Sequence, residues 1–160
     1  MSGVTPDELG EHAFLRGMTA RHLVVLSRAS WEAPVRAGQR LFEEGDAAHR
    51  FWLLRSGQVA LDLHSPGRRG LIVETLGAGD LVGLSWLVPP YQWQFGATAV
   101  QDTVTFELNA IAVRAACEED PGLGYALLRR VMSAASSRLH ATRVRMLDLY
   151  APSGTGQDRP

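Results

Sequence analysis

The sequence predicts a mainly β domain of the antiparallel sandwich or barrel kind, led by two short helices and closed by a long one. Three observations predict it. From Trp31 to about Leu108, short runs of Val, Leu, Phe and Trp alternate with glycine or polar turns every eight to twelve residues, the spacing of antiparallel strands rather than of βαβ units. The segments on either side instead carry helical periodicity. The chain of 160 residues is the size of one domain, enough to bury roughly two-thirds of its unfolded surface.

Taken in order, residues 6–16 and 19–28 read as helices. Pro6 suits a first helical position, and Thr19 is an N-cap before Leu23, Val24 and Leu26. Strands are expected at 31–36, 40–43, 50–55, 58–64, 70–76, 81–83, 95–100 and 103–108. Helical period resumes at about Asn109, and Asp120-Pro121 supplies an N-cap and a proline at N1 for a helix reaching about Tyr150. Along that helix Tyr125, Leu128, Met132, Ala135, Leu139, Thr142, Met146 and Leu149 recur at alternating three- and four-residue steps, a heptad seam. Leu127, Val131 and Ala134 form a second stripe that serves packing on the sheet. Two stripes need two partners, so a parallel homodimer through this helix is expected. The division is a lead at 1–13, a domain at 14–150 and a disordered tail at 151–160.

Hydrophobic residues make up 46% and charged ones 21%, with a net charge of −1. That balance gives no bulk attraction to nucleic acid or to a membrane surface. All sixteen basic residues are Arg, so lysine nucleophiles and Schiff bases are excluded. The one cysteine, Cys117, excludes an intramolecular disulfide and a multi-cysteine zinc site, and reads as an inert helix thiol. The N-terminus lacks the basic start and apolar run of a secretory signal, and no apolar stretch approaches membrane-spanning length. A cytoplasmic protein is expected. The five histidines, at 12, 22, 49, 64 and 140, form no metal-binding pair, and neither a nucleophile elbow nor a P-loop occurs. No enzyme, metal or cofactor is expected; a metal-dependent barrel enzyme is the rival that this reading sets aside.

The stretch Gly77–Ala99 is the centre of the functional reading. Gly77, Gly79 and Gly83 mark tight turns whose exposed N–H groups can hold an anion, and Trp86, Tyr91, Trp93 and Phe95 follow around a Pro89-Pro90 break. No cation lies between Arg69 and Arg114, where the chain's Arg density would place about four.

The turns at Gly38, Gly45-Asp46 and Gly57, the apolar Phe51 and Val59, and the run Gly77-Ala-Gly-Asp-Leu-Val-Gly83 resemble the cyclic-nucleotide-binding domain family. This is the sensory half of catabolite-activator-type regulators and of kinase and channel modules. The resemblance spans about residues 14–149. It implies an eight-stranded jelly-roll-like β-roll, a double-stranded β-helix, with Phe51 and Val59 facing the roll interior and Asp46 bonding backbone N–H groups in its turn. It also implies a phosphate-binding cassette after Gly83, in which a Glu binds the ribose and a later Arg pairs with the cyclic phosphate. Here Leu84 stands at the Glu position and Trp93 or Gln94 at the Arg position.

Losing a buried, bidentate Arg–phosphate pair costs about two to three decades of affinity. The cassette is therefore expected to be degenerate. The pocket positions are Gly83, Leu84, Ser85, Trp86, Gln92, Trp93, Gln94 and Thr98, with Thr142 and Arg143 of the long helix capping them and Glu74 adding negative charge. Aromatic walls and polar Ser85, Gln92, Gln94 and Thr98 suit a changed ligand.

Only ten residues follow the long helix here, against the helix-turn-helix found in the transcription regulators of that family. DNA binding is not expected. The function expected is a non-catalytic sensory module signalling to a protein partner. Its rivals are genuine cAMP or cGMP binding through backbone N–H groups and a Gln, and a dimerisation module without a ligand.

Overall fold

The computed structural model describes residues 2–150, apart from the side chains of Ser65, Arg68 and Arg69. The expected tail at 151–160 lies outside the described residues.

Strand β1 (Ser2–Gly3), α1 (Pro6–Glu11) and α2 (Ala20–Arg28) precede the β-roll. The roll comprises β2 (Ser30–Val35), β3 (Arg40–Phe42), β4 (Arg50–Ser56), β5 (Val59–Ser65), β6 (Arg68–Leu76), β7 (Leu81–Val82), β8 (Gly96–Ala99) and β9 (Thr103–Asn109). It is followed by α3 (Ala110–Glu119) and α4 (Pro121–Tyr150). The eight strands expected are β2 to β9, each within two residues at either end. With β1 they form two facing antiparallel sheets, β1-β2-β9-β4-β7 and β3-β8-β5-β6, the jelly-roll-like arrangement.

The local chemistry explains the boundaries. Thr5 closes a capping box with Glu8, and Thr19 accepts from His22 N–H at 3.3 Å. The first helix ends at Glu11, five residues short of the expected 16, because His12 leaves the helix to bond elsewhere. Its Nε2 meets Leu54 O at 2.7 Å and its Nδ1 accepts from Phe14 N–H at 3.1 Å. Asp120 Oδ1 accepts from Gly122 N–H at 3.1 Å, the cap expected for α4. Gly57 adopts φ 91°, and a Cβ there would meet Thr103 Oγ1 at 2.3 Å, so the β4–β5 turn admits no side chain.

The core lies on both faces of the β2-β9-β4 sheet. Inside the roll, Trp52 stacks on Phe42 at 5.5 Å, and Phe42 on Trp93 at 4.0 Å. Phe51, one residue along and so on the opposite face, stacks on Trp86 at 3.8 Å. Phe51 is thus buried as expected but against the helical side, not in the roll interior. Asp46 also acts differently from expectation, through its main chain: its carbonyl accepts Trp93 N–H at 2.9 Å. Val4 and Leu9, within the segment expected as a separate lead, are buried in the same core.

Helix α4 lays Leu123, Leu127 and Val131 on that core. Its second half is tied to the roll by Arg138, which donates through Nη2 to Leu81 O, and by Arg145, which donates to Val73 O at 2.6 Å.

Candidate functional site

A cavity of about 390 Å³ opens between β6, the Gly83 loop and α4. Its walls are Phe42, Leu61, Leu63, Val73, Leu84, Trp93, Phe95 and Leu139, and its polar lining is Glu74, Ser85, Gln94, Arg138 and Thr142. Of the positions expected from the sequence, Gly83, Leu84, Ser85, Trp93, Gln94 and Thr142 line it.

Four expected positions do not. Trp86 is fully buried on Phe51, on the far side of the loop. Gln92 is exposed, in a bridge to Ala47. Thr98 points out of the roll, where its Oγ1 accepts from Arg40, because its neighbours Ala97 and Ala99 take the inward positions of β8. Arg143 is exposed, about 140° around the helix from Arg138.

Gly83 and Trp93 define the floor. Gly83 has φ 98°, and a Cβ on it would lie 2.5 Å from two ring carbons of Trp93. The indole therefore rests directly on the Gly83 backbone, 5% exposed. Main-chain bonds hold it there. Gly45 N–H donates to Trp93 O at 2.8 Å, and Ala48 N–H to Tyr91 O at 2.7 Å. Arg114 of α3 braces the same loop from behind, donating to Trp86 O at 2.7 Å and lying over the Tyr91 ring.

The cassette segment carries no cation, but in place of the expected Arg143 one is brought to this cavity by Arg138 of α4. Its side chain is 16% exposed, and its Nε stands 3.9 Å from Glu74 Oε2. Burial lowers the pKa of this guanidinium, against the opposing pull of Glu74 and Asp80. Glu74 points inward, paired with Leu61 across β5–β6. The long helix does reach the cavity, as expected of Thr142 and Arg143, but the arginine it brings there is Arg138. The available signal was periodicity: Leu127, Val131, Ala134 and Arg138 continue one stripe at four-, three- and four-residue steps.

The expected seam of α4 is exposed apart from half-buried Ala135: Leu128, Met132, Leu139 and Met146 are each 44–58% accessible. Leu139 belongs both to this seam and to the cavity wall. Cys117 is half-buried, and burial raises its pKa, which leaves an unreactive thiol. Among the described residues no three His, Cys, Asp or Glu side chains are grouped to hold a metal, and no helix is long and apolar enough to cross a membrane.

No curated protein sequence matches the chain. Among solved structures it is similar to a protein of Geobacter metallireducens GS-15 classed as cyclic nucleotide-binding, with 27% identity, TM-score 0.78, and 86% of this chain and 99% of that one covered. It is also similar to the N-terminal domain of a Streptomyces coelicolor A3(2) transcriptional regulator, at 25% identity and TM-score 0.62, covering 91% and 99%. The regulatory subunit of a cAMP-independent protein kinase A from Trypanosoma brucei shares the fold, at 18% identity and TM-score 0.66, over 85% of this chain and 48% of that one. The family model for the cyclic nucleotide-binding domain matches residues 32–120. With the two-sheet roll, the glycine turns and the helix closing over the cavity, that match makes the chain a member of the cyclic nucleotide-binding domain family.

Proposed function

We propose that this chain is a non-catalytic, cytoplasmic sensory module whose cassette has lost cyclic-nucleotide binding, and that it signals to a protein partner as a parallel homodimer through α4. One observation carries the reading. The Trp93 indole lies on the Gly83 backbone, the position after which the family holds its phosphate. Leu84 at the cassette's Glu position supports it, as does the absence of Arg between positions 70 and 113. The stacked, buried indole covers one face of Gly83 and so takes space beside the loop where a phosphate would be held. The same fold is found in the regulatory subunit of a cAMP-independent protein kinase A from Trypanosoma brucei, which agrees with this reading.

The output follows from the joints. Leu81, just before Gly83, accepts from Arg138, and Leu139 faces both cavity and seam. A ligand that alters the loop thus changes the seating of α4, the element offered to a partner copy or protein.

Calorimetric titration with cAMP and cGMP tests the ligand half: a loss of about two to three decades in affinity leaves no heat of binding at micromolar nucleotide. Binding below micromolar would overturn it. One observation favours the second reading, genuine cyclic-nucleotide binding: Arg138 is a cation at the cavity after all. Under that reading, cAMP binds tightly and Arg138→Gln abolishes it, in place of the backbone and Gln94 contacts. The third, a dimerisation module with no ligand, predicts that nothing binds and that assembly is unaffected by any small molecule.

A further inference from the structure

We infer that the cavity takes a net-neutral, apolar-bodied ligand carrying an amide-type edge, a hydrogen-bond donor beside an acceptor, which inserts at the incomplete Glu74–Arg138 pair. This deepens the reading that the site no longer serves a cyclic nucleotide, and rests on it.

Arg138 and Glu74 are both largely out of solvent, with side chains 16% and 19% exposed. Their approach of 3.9 Å is an ion pair by charge but too long for a hydrogen bond. Arg138 spends one N–H on Leu81 O, and no other acceptor is recorded for it among the described residues. A guanidinium carries five such donors. Glu74 has no recorded hydrogen bond at its carboxylate among the described residues. A low-polarity site holding a half-made pair gains most from a group that completes both halves. A lactam, carboxamide or heterocyclic amide edge does this: its carbonyl accepts from the guanidinium and its N–H donates to the carboxylate.

Charge decides against the alternatives. The two side chains already compensate one another, so a carboxylate ligand would meet Glu74 as a like charge, and an ammonium would meet Arg138. Either brings an uncompensated ion among Leu61, Leu63, Val73, Leu84, Phe95 and Leu139. Those walls specify the rest of the ligand as flat or aliphatic and apolar. The volume of about 390 Å³ suits a bicyclic body, near the small end of ligand sites.

The experiment is calorimetric titration of the full chain with three bicycles of one shape: quinolin-2(1H)-one with the donor–acceptor edge, quinoline without the donor, and 2-naphthoate with the charge. A fourth titration uses cAMP. The lactam is expected to bind about tenfold more tightly than either relative, the worth of one hydrogen bond to a charged group. In Glu74→Leu the order should reverse, with 2-naphthoate overtaking the lactam, because Arg138 loses the carboxylate that lines the cavity with it and keeps only Asp80, which does not line it. In Arg138→Met all three should fall together, and circular dichroism confirms folding of both variants.

The wild-type order alone decides the matter if a variant does not fold. Equal binding of the three, or preference for 2-naphthoate, without binding of cAMP, overturns the ligand class and leaves the loss of nucleotide binding standing. Sub-micromolar cAMP binding overturns that loss and the ligand class with it. Silence from all four probes also overturns the class.

Discussion

At residue scale, Gly83 and Trp93 form one unit, because the first cannot carry a Cβ while the second is present. Gly83→Ala faces two separate penalties, a positive φ and a clash with the indole. The first amounts to about 1 kcal/mol and persists in any background. Trp93→Ala alone removes a buried, doubly contacted ring and is expected to cost about 3–5 kcal/mol. Once that ring is gone, the clash is gone too. Urea melts of the two single variants and the double variant should therefore show a favourable coupling of about 1–3 kcal/mol. Strict additivity would mean that the indole does not rest on Gly83.

His12 gives a second residue-scale prediction. Burial pushes its pKa below the ordinary value, and its hydrogen bonds to Leu54 O and Phe14 N–H fix the neutral tautomer with the proton on Nε2. In the unfolded chain it takes up a proton near pH 6.5, while the folded chain resists until lower pH. The unfolded state then binds more protons, so stability is full above about pH 6.5 and declines as pH falls beneath it. The urea midpoint should drop across pH 6.5 to 5, and His12→Gln should flatten that limb of the profile.

At the scale of elements, the sequence was legible wherever a pattern repeats or a cap is local. The alternation that marks β2 to β9, Thr19 and Asp120 at helix starts, and the stripe of Leu127 and Val131 all lie within a few residues of what they determine. Helix α1 stops short of the expected residue 16 because what ends it, Leu54 O accepting from His12, is 42 residues away in the chain. In the cassette, no period tells which tryptophan faces the cavity. Trp86 and Trp93 are on one loop but face opposite sides: Trp93 donates its N–H to Asp46 O, while Trp86 O accepts from Arg114, contacts remote in sequence from both. Thr98 was readable: in Gly96-Ala97-Thr98-Ala99 the small apolar residues claim the inner face, which leaves threonine outside. Arg138 was readable too, had the packing stripe been followed one turn past Ala134.

The two faces of α4 make an element-scale prediction. Leu127 is fully buried, so Leu127→Ala should cost about 2–5 kcal/mol in a urea melt. Met146 is 52% exposed, so Met146→Ala should change the same midpoint by about 0.5 kcal/mol or less when the protein is dilute. Similar losses at the two sites would mean that the seam packs within its own chain.

At the scale of the whole molecule, the seam decides what the module is. A 30-residue helix is about 45 Å long, and one face of it meets the core and the roll, through Leu123, Leu127 and Val131 and then through Arg138 and Arg145. The other face offers Leu128, Met132, Leu139 and Met146 to solvent at heptad spacing. A second copy is the partner that presents the same stripe in the same register. Light scattering after gel filtration should give twice 17.4 kDa at micromolar concentration. Met132→Asp with Met146→Asp should return the monomer, because two charges facing their copies across a dry seam oppose association strongly. Both positions are exposed within one chain, so the monomer should melt close to the wild type at low concentration. Since Leu139 walls the cavity as well as the proposed seam, the proposal predicts that ligand and assembly are linked, each altering the affinity of the other by reciprocity. Titrating quinolin-2(1H)-one into the aspartate variant and into the wild type measures that linkage: unequal affinities are expected, and identical ones would separate the pocket from the dimer.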